Sequence, residues 1–186
     1  MNIKTIKSDL KELLTSKRYE HSLRVAEESK NLAKTYQYDE KKAYIAGLIH
    51  DIAKNFTEEE SKVWIEKYKL PKELLEEKYK NIKHADIGAV VAKEKYHLED
   101  DICKAIKYHT IGNKDMDALA KIVFLADKIA RNNLPKELQE VKELAYQNLN
   151  KALLCCLENE EIYLKSKGIK MHKDTKELLE KLTQEL

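Results

Sequence analysis

Residues 46–54 read Ala-Gly-Leu-Ile-His-Asp-Ile-Ala-Lys, an apolar stretch that carries the adjacent pair His50 and Asp51 in its middle. An ionised carboxylate set among Ile49, Ile52 and Ala53 is costly unless it is paired or bound to a cation. A metal ion satisfies both side chains at once. Any fold open to this chain must therefore bring compensating groups to residues 50 and 51 from elsewhere in the sequence.

The apolar spacing says what those groups are carried on. Ile3, Ile6, Leu10, Leu13 and Leu14 step by three and four, predicting an amphipathic helix over 3–15. The same period predicts helices over 18–36 and, with Asp39 as cap, over 39–51, placing the His50–Asp51 pair mid-helix. Thr57-Glu-Glu-Glu60 is a capping box for a fourth helix, and Pro71 suits the first turn of a short one over 72–78. Further helices are predicted over 83–92, 100–108 and 116–130. A long one after Pro135 runs to 167 before Gly168, and a last one is capped by Asp174. No segment alternates as a strand does. The fold class is all-α, with roughly eight to ten helices.

Other classes are excluded by what is missing. A net charge of +2 leaves no global basic field, so no nucleic-acid partner is expected. The longest apolar runs, such as 122–126, are too short to span a bilayer, so no membrane partner is expected either. The first residues lack the apolar centre of a signal peptide. Three cysteines, with Cys155 and Cys156 adjacent, make no disulfide framework and read as core or dimer contacts. A cytoplasmic protein follows. A homodimer is a candidate assembly, suggested by the long apolar helix after Pro135.

Two more residues share the anomaly of the pair. His21 lies on the second helix one turn after Arg18, and Asp127 sits in the nearly uniform apolar run 123–130. A single histidine on an apolar face is more often a hydrogen-bonded core residue, and an isolated aspartate is more often a cap. The adjacency of His50 and Asp51, repeated by Asp127, brings the metal reading level with that one. Imidazole and carboxylate ligands suit a first-row divalent ion, with Fe, Mn and Zn all permitted. Helices that each offer one or two inward ligands are a common way to build such a site.

His21, then His50-Asp51, then Asp127 resembles the H…HD…D signature of the HD-domain phosphohydrolases. The flanking segments 18–21, 46–54, 84–89, 105–112, 116 and 122–127 are similar to one bacterial branch, the symmetrical diadenosine tetraphosphate hydrolases. The resemblance runs in order over residues 10–180. It implies an HD-domain helical bundle forming a single domain over 1–186, with a core over 16–132 and C-terminal helices over 135–184 packed on it. It also implies a divalent metal held by His21, His50, Asp51 and Asp127, iron first, with manganese or zinc as alternatives. The implied reaction cleaves diadenosine tetraphosphate symmetrically into two ADP by attack of metal-activated water. Asp51 would act as base, and His84 or His109 would donate to the leaving phosphate or support a second metal. His21, His109, Arg18, Lys54, Lys83 and Thr110 match positions near the phosphates.

Two segments depart from the family pattern. Where an acidic-Pro-x-Arg segment follows the last aspartate in the family, this chain reads Ile129-Ala-Arg-Asn-Asn133, so Arg131 or Asn133 replaces the arginine. Near the C-terminus, Met171-His-Lys-Asp-Thr175 stands for Ile-His-Pro-Asp-Thr, leaving Lys170, His172 and Thr175 as implied substrate contacts. Rival readings are an HD enzyme acting on nucleotide monophosphates or cyclic dinucleotides, and a nucleotide sensor without turnover. The first is weakened by the absence of Gly-Tyr-Pro, the second by the intact H…HD…D set.

Overall fold

The computed structural model describes residues 2–186. Helix α1 (Ile3–Leu13) is capped by the Asn2 side chain and turns Ile6 and Leu10 into the core. Helices α2 (Ser16–Thr35) and α3 (Glu40–Ile49) make the most extensive helix pairing in the molecule. Small residues allow that approach. A Cβ on Gly47 would lie 2.6 Å from Ser29 Oγ and 2.8 Å from the Val25 carbonyl oxygen, so only glycine lets α3 sit this close to α2.

The His50–Asp51 pair is not mid-helix, contrary to the sequence expectation: α3 ends at Ile49. The chain continues in tighter turns, with Ile52 N–H donating to the Ile49 carbonyl and Lys54 N–H to that of Asp51. These three-residue bonds wind the backbone more tightly and re-aim both side chains. The capping box of α4 (Glu58–Lys67) is complete: the Thr57 hydroxyl accepts from Glu60 N–H, and the Glu60 carboxylate accepts from Thr57 N–H. In place of one helix over 72–78 there are two 3-10 turns, Lys72–Leu75 and Glu77–Tyr79, each too short to propagate.

Helices α5 (Lys83–Tyr96), α6 (Asp100–Tyr108) and α7 (Ala118–Ile129) follow, α7 being capped by Asp117. Helix α7 is the central element, with Ile122, Val123, Phe124, Leu125 and Ala126 all fully buried. The single helix expected after Pro135 is divided into a 3-10 turn at Lys136–Leu138, α8 (Gln139–Ala145) and α9 (Leu149–Ser166). Asn148 causes the division, because its side chain accepts from Lys151 N–H and starts a new helix. Helix α9 spends Leu149, Ala152, Leu153, Cys156 and Leu157 on this chain's own core and leaves Ile162 and Tyr163 exposed near its end. Helix α10 (Lys173–Glu185) is capped by His172 rather than by Asp174: His172 Nδ1 accepts from Asp174 N–H at 3.2 Å. No helix among the described residues is long and apolar enough to cross a membrane.

These elements bring α2, the turn after α3, the start of α5 and the ends of α6 and α7 to one place. The α2–α3 crossing sets the spacing there. Gly47→Ala should therefore force the two helices apart at a cost of about 1–3 kcal/mol, less about 1 kcal/mol of gained helix propensity. The melting temperature should fall by up to about 8 °C. In Gly88→Ala the nearest atom is the flexible Ile106 side chain at 3.3 Å, and stability should stay within about 1 kcal/mol of the parent. Thermal melts of the two variants test the assignment.

Candidate metal centre

His50 is fully buried, and its Nδ1–H donates to the Gly47 carbonyl at 2.7 Å. That bond turns the lone pair of Nε2 inward, where the nitrogen is buried without a hydrogen-bond partner. The nearest acidic oxygens are Asp127 Oδ1 at 3.5 Å and Asp51 Oδ2 at 3.7 Å. His21, from α2, places Nε2 2.8 Å from the same Asp127 oxygen. Asp51 is shared: its Oδ2 accepts from Arg18 Nη1 at 3.1 Å, and its Oδ1 lies 3.1 Å from His84 Nε2 and 3.7 Å from His109 Nε2. His109 repeats the device of His50, donating from Nδ1 to its own helix carbonyl at Ile106 over 2.6 Å.

The electrostatics follow from this crowding. Burial makes charge on Asp51 and Asp127 costly. The surrounding imidazoles outweigh that cost and hold both carboxyls below the usual carboxylate range, so both stay ionised. Burial likewise opposes a charge on His50, yet the two adjacent carboxylates win and raise its pKa. Positive charge is thus favoured at that spot, whether proton or metal. His84 is pushed the other way, to about 3, chiefly by burial and despite Asp51, so it is neutral near pH 7. Burial also lowers the pKa of His109 and of Lys54, whose ammonium lies 3.2 Å from the His84 ring nitrogens.

Ligand atoms of His21, His50 and Asp51 lie within 4.8 Å of one another, and so do those of Asp51, His84 and His109. Nitrogen and oxygen ligands about 2 Å from a common ion stand roughly 3–4 Å apart, so the contacts of His50 Nε2 with Asp51 and Asp127 have the right spacing. The residues fit a divalent cation on two counts. The unpartnered Nε2 of His50 has its lone pair aimed at the cluster, and the donors are all imidazole nitrogen or carboxylate oxygen.

The cluster forms the floor of a cavity of about 840 Å³. Of the residues expected there from sequence, Arg18, His21, Asp51, Lys54, His84, His109, Thr110, Asp127 and Asn133 line it, with His50 directly behind. Lys83, Lys170 and Thr175 do not line it, which corrects their placement. Lys83 is buried against Glu58, Lys170 is exposed, and the buried Thr175 hydroxyl is spent donating to the Ile111 carbonyl. His172 faces a neighbouring cavity of about 340 Å³, its ring 6.4 Å from that of Tyr79. Three cations missed in the sequence reading, Lys17, Arg24 and Lys128, line the main cavity as well, together with Arg131. Arg24 was open to detection, since it continues the three-residue step from Arg18 to His21.

Comparison with known proteins gives the family. The HD domain family matches residues 18–132. A protein of Bacillus subtilis named "Bis(5'-nucleosyl)-tetraphosphatase, symmetrical" is 35% identical over 176 residues, 94% of each chain. A protein of the same name from Halalkalibacterium halodurans is 35% identical over 87% of each chain. A crystal structure from Clostridium acetobutylicum, titled as that of a predicted HD superfamily hydrolase involved in NAD metabolism, aligns with a TM-score of 0.91. It is 33% identical and the alignment covers 100% of this chain and 99% of that one.

A cation that binds only the folded chain raises its stability, by about 2.7 kcal/mol at a free concentration of 100 Kd. Removing divalent ions with a chelator should therefore lower the melting temperature, and returning Mn2+ should restore it. His50→Ala removes a ligand and should abolish the Mn2+-dependent shift while leaving a cooperative melt. An equal shift in parent and variant would place the ion elsewhere.

Proposed function

The chain belongs to the HD-domain family, among its symmetrical bis(5'-nucleosyl)-tetraphosphatases, and from that membership we propose how its own residues hydrolyse diadenosine tetraphosphate to two ADP. One observation carries the substrate class. Lys17, Arg18, Arg24, Lys54, Lys128 and Arg131 line one cavity whose floor holds only two carboxylates, Asp51 and Asp127. Those two are the groups a cation neutralises, which leaves six positive side chains for a polyanion. A tetraphosphate chain matches that imbalance; a neutral or singly charged substrate does not.

The reaction forms one bond from water oxygen to phosphorus and breaks the bridging phosphorus–oxygen bond at the centre of the tetraphosphate. When bound, a divalent cation supplies charge to the phosphoryl oxygens and lowers the pKa of a water. His21, His50, Asp51 and Asp127 would hold it; iron is our assignment, with manganese or zinc also suited to this donor set. Asp51, His84 and His109 offer a place for a second ion. Asp51 remains ionised and accepts a hydrogen bond at Oδ1, orienting the attacking water. Asp51 would serve as base for that water, and His84, neutral near pH 7, or His109 would offer a ring N–H to the leaving phosphate.

The departing ADP leaves through a terminal phosphate that needs no proton at neutral pH, so the cations carry the departure. Arg18 offers planar donors to phosphate oxygens, and Lys54 reaches over His84 towards the same space. Thr110 lies at the edge of that space. One nucleoside fits the neighbouring cavity, which shares Ile82 with the main one and presents Tyr79 and His172. Lys170 is an exposed residue two positions before His172, and Thr175 acts indirectly by tying α10 to the turn at Ile111.

Chromatography of products from diadenosine tetraphosphate should show ADP alone; ATP with AMP, or no product, sinks the reading. Asp51→Ala should lose turnover by a factor of 1,000 or more, on the order of single-group losses in acid–base and electrostatic catalysis combined. It should also lose bound metal. Lys54→Ala should act mainly on KM, raising it about tenfold, as expected for the loss of one charge-assisted contact of about 1.5 kcal/mol.

A further inference from the structure

A substrate cut at its centre has two identical halves, and the site described so far seats only one nucleoside. The second cavity, with Tyr79 and His172, opens from the main one on the side of His84 and His109. A third, of about 390 Å³, opens on the other side, where α2 and α7 continue past His21 and Asp127. It shares Arg24 and Arg131 with the main cavity and no residue with the second. The centre therefore has a recess on each flank.

The chemistry along α2 is ordered. Arg18, His21, Arg24 and Glu27 recur every third residue and wind round the helix from the main cavity into the third. From His21 to Glu28 is seven residues, about 10 Å of helix axis, a span that takes in a diphosphate and the start of the ribose. Arg24 and Arg131 stand where that arm would pass. Arg24 is held from behind by Nε donating to the Ala130 carbonyl, so its terminal nitrogens are the part turned to the cavities. Beyond them the lining becomes mixed, with Glu27 and Glu28 beside Leu23 and Ile129 and with Lys142 as its one further cation. Carboxylates repel phosphate but bind ribose hydroxyls, as in dinucleotide sites. Leu23 is half-buried and Ile129 buried, giving the base an apolar wall. Phosphate contacts followed by carboxylates and an apolar wall are the order of groups met along a nucleoside diphosphate.

We propose that the groove between α2 and the end of α7, bounded by Arg24, Arg131, Glu27 and Leu23, binds the second nucleoside diphosphate half of the dinucleotide. This rests on the hydrolysis of diadenosine tetraphosphate described above. Occupancy of both recesses centres the scissile bridge over the His50–Asp51 floor, and so makes the cut symmetrical.

The test compares diadenosine tetraphosphate with adenosine 5′-tetraphosphate, whose one nucleoside can use the second cavity and leave the groove empty. Cutting the latter at the same bridge gives ADP and pyrophosphate. Leu23→Trp fills the groove with an indole, and Glu27→Lys changes an exposed position that folding does not need. Each should lower kcat/KM for the dinucleotide tenfold or more while the mononucleotide stays within twofold. Glu27→Lys keeps the test decisive if Leu23→Trp melts early. Equal losses for both substrates, or none for either, overturn the groove assignment while leaving hydrolysis intact. A parent enzyme that leaves the dinucleotide uncut overturns the activity itself, and the groove with it.

Discussion

Two buried carboxylates dictate the architecture. Asp51 and Asp127 are ionised among apolar residues, and an isolated buried charge costs far more than a domain can spare. The chain meets that cost with imidazoles from three helices and the turn after a fourth: His21 on α2, His50 after α3, His84 on α5 and His109 at the end of α6. Each ring is fixed in turn. His50 and His109 donate to carbonyls of their own preceding turns, which settles their tautomers and leaves Nε2 facing the carboxylates. A cation then completes a set of groups that the protein alone leaves short, as the unpartnered His50 Nε2 shows.

Such a set works only if the backbones carrying it come close together. Gly47 does two jobs at the crossing of α2 and α3. Its missing Cβ admits Ser29 and the Val25 carbonyl, and its own carbonyl orients His50. The small residues of the segment 46–54 are therefore packing requirements of the site as much as of the core. The tight turns from His50 to Lys54 have a similar effect. Residues three apart already lie within about 60° on an α-helix, and the tighter winding brings Asp51 and Lys54 nearer to eclipse, both facing the same cavity.

Sequence periodicity located most helices because their apolar faces are wide, and it singled out the residues of the His–Asp cluster because charged groups in apolar runs are conspicuous. It misplaced what depends on single polar residues. Asn148 divides a long apolar run by capping, and a cap inside such a run looks like a tolerated polar residue until the backbone is seen. His172, an implied substrate contact, has a second task that its sequence does not announce: its ring nitrogen caps α10 while the ring faces Tyr79. Lys83 was grouped with the phosphate ligands because it adjoins His84. Neighbours on a helix point 100° apart, however, and Lys83 turns instead to Glu58. Arg24 and Lys128 do not stand out among 35 basic residues, where only three-dimensional position separates a cavity-lining cation from a solvated charge.

Net charge was the least informative number for the same reason. A chain at +2 suggests indifference to polyanions, but the sum hides a separation of sign. Many surface cations are paired with acids on their own or a neighbouring helix, as Lys42 is with Glu99 and Asp101, and Lys95 with Asp9. Pairs of this kind cancel in the sum and contribute little at a distance. Around the main cavity the acids are instead committed to the cluster on its floor. The field that a polyphosphate meets is set by the wall, where low-dielectric surroundings strengthen it. The cavity is thus an anion site because its two carboxylates are already spoken for: the same burial that demands a cation on the floor frees the cations of the wall.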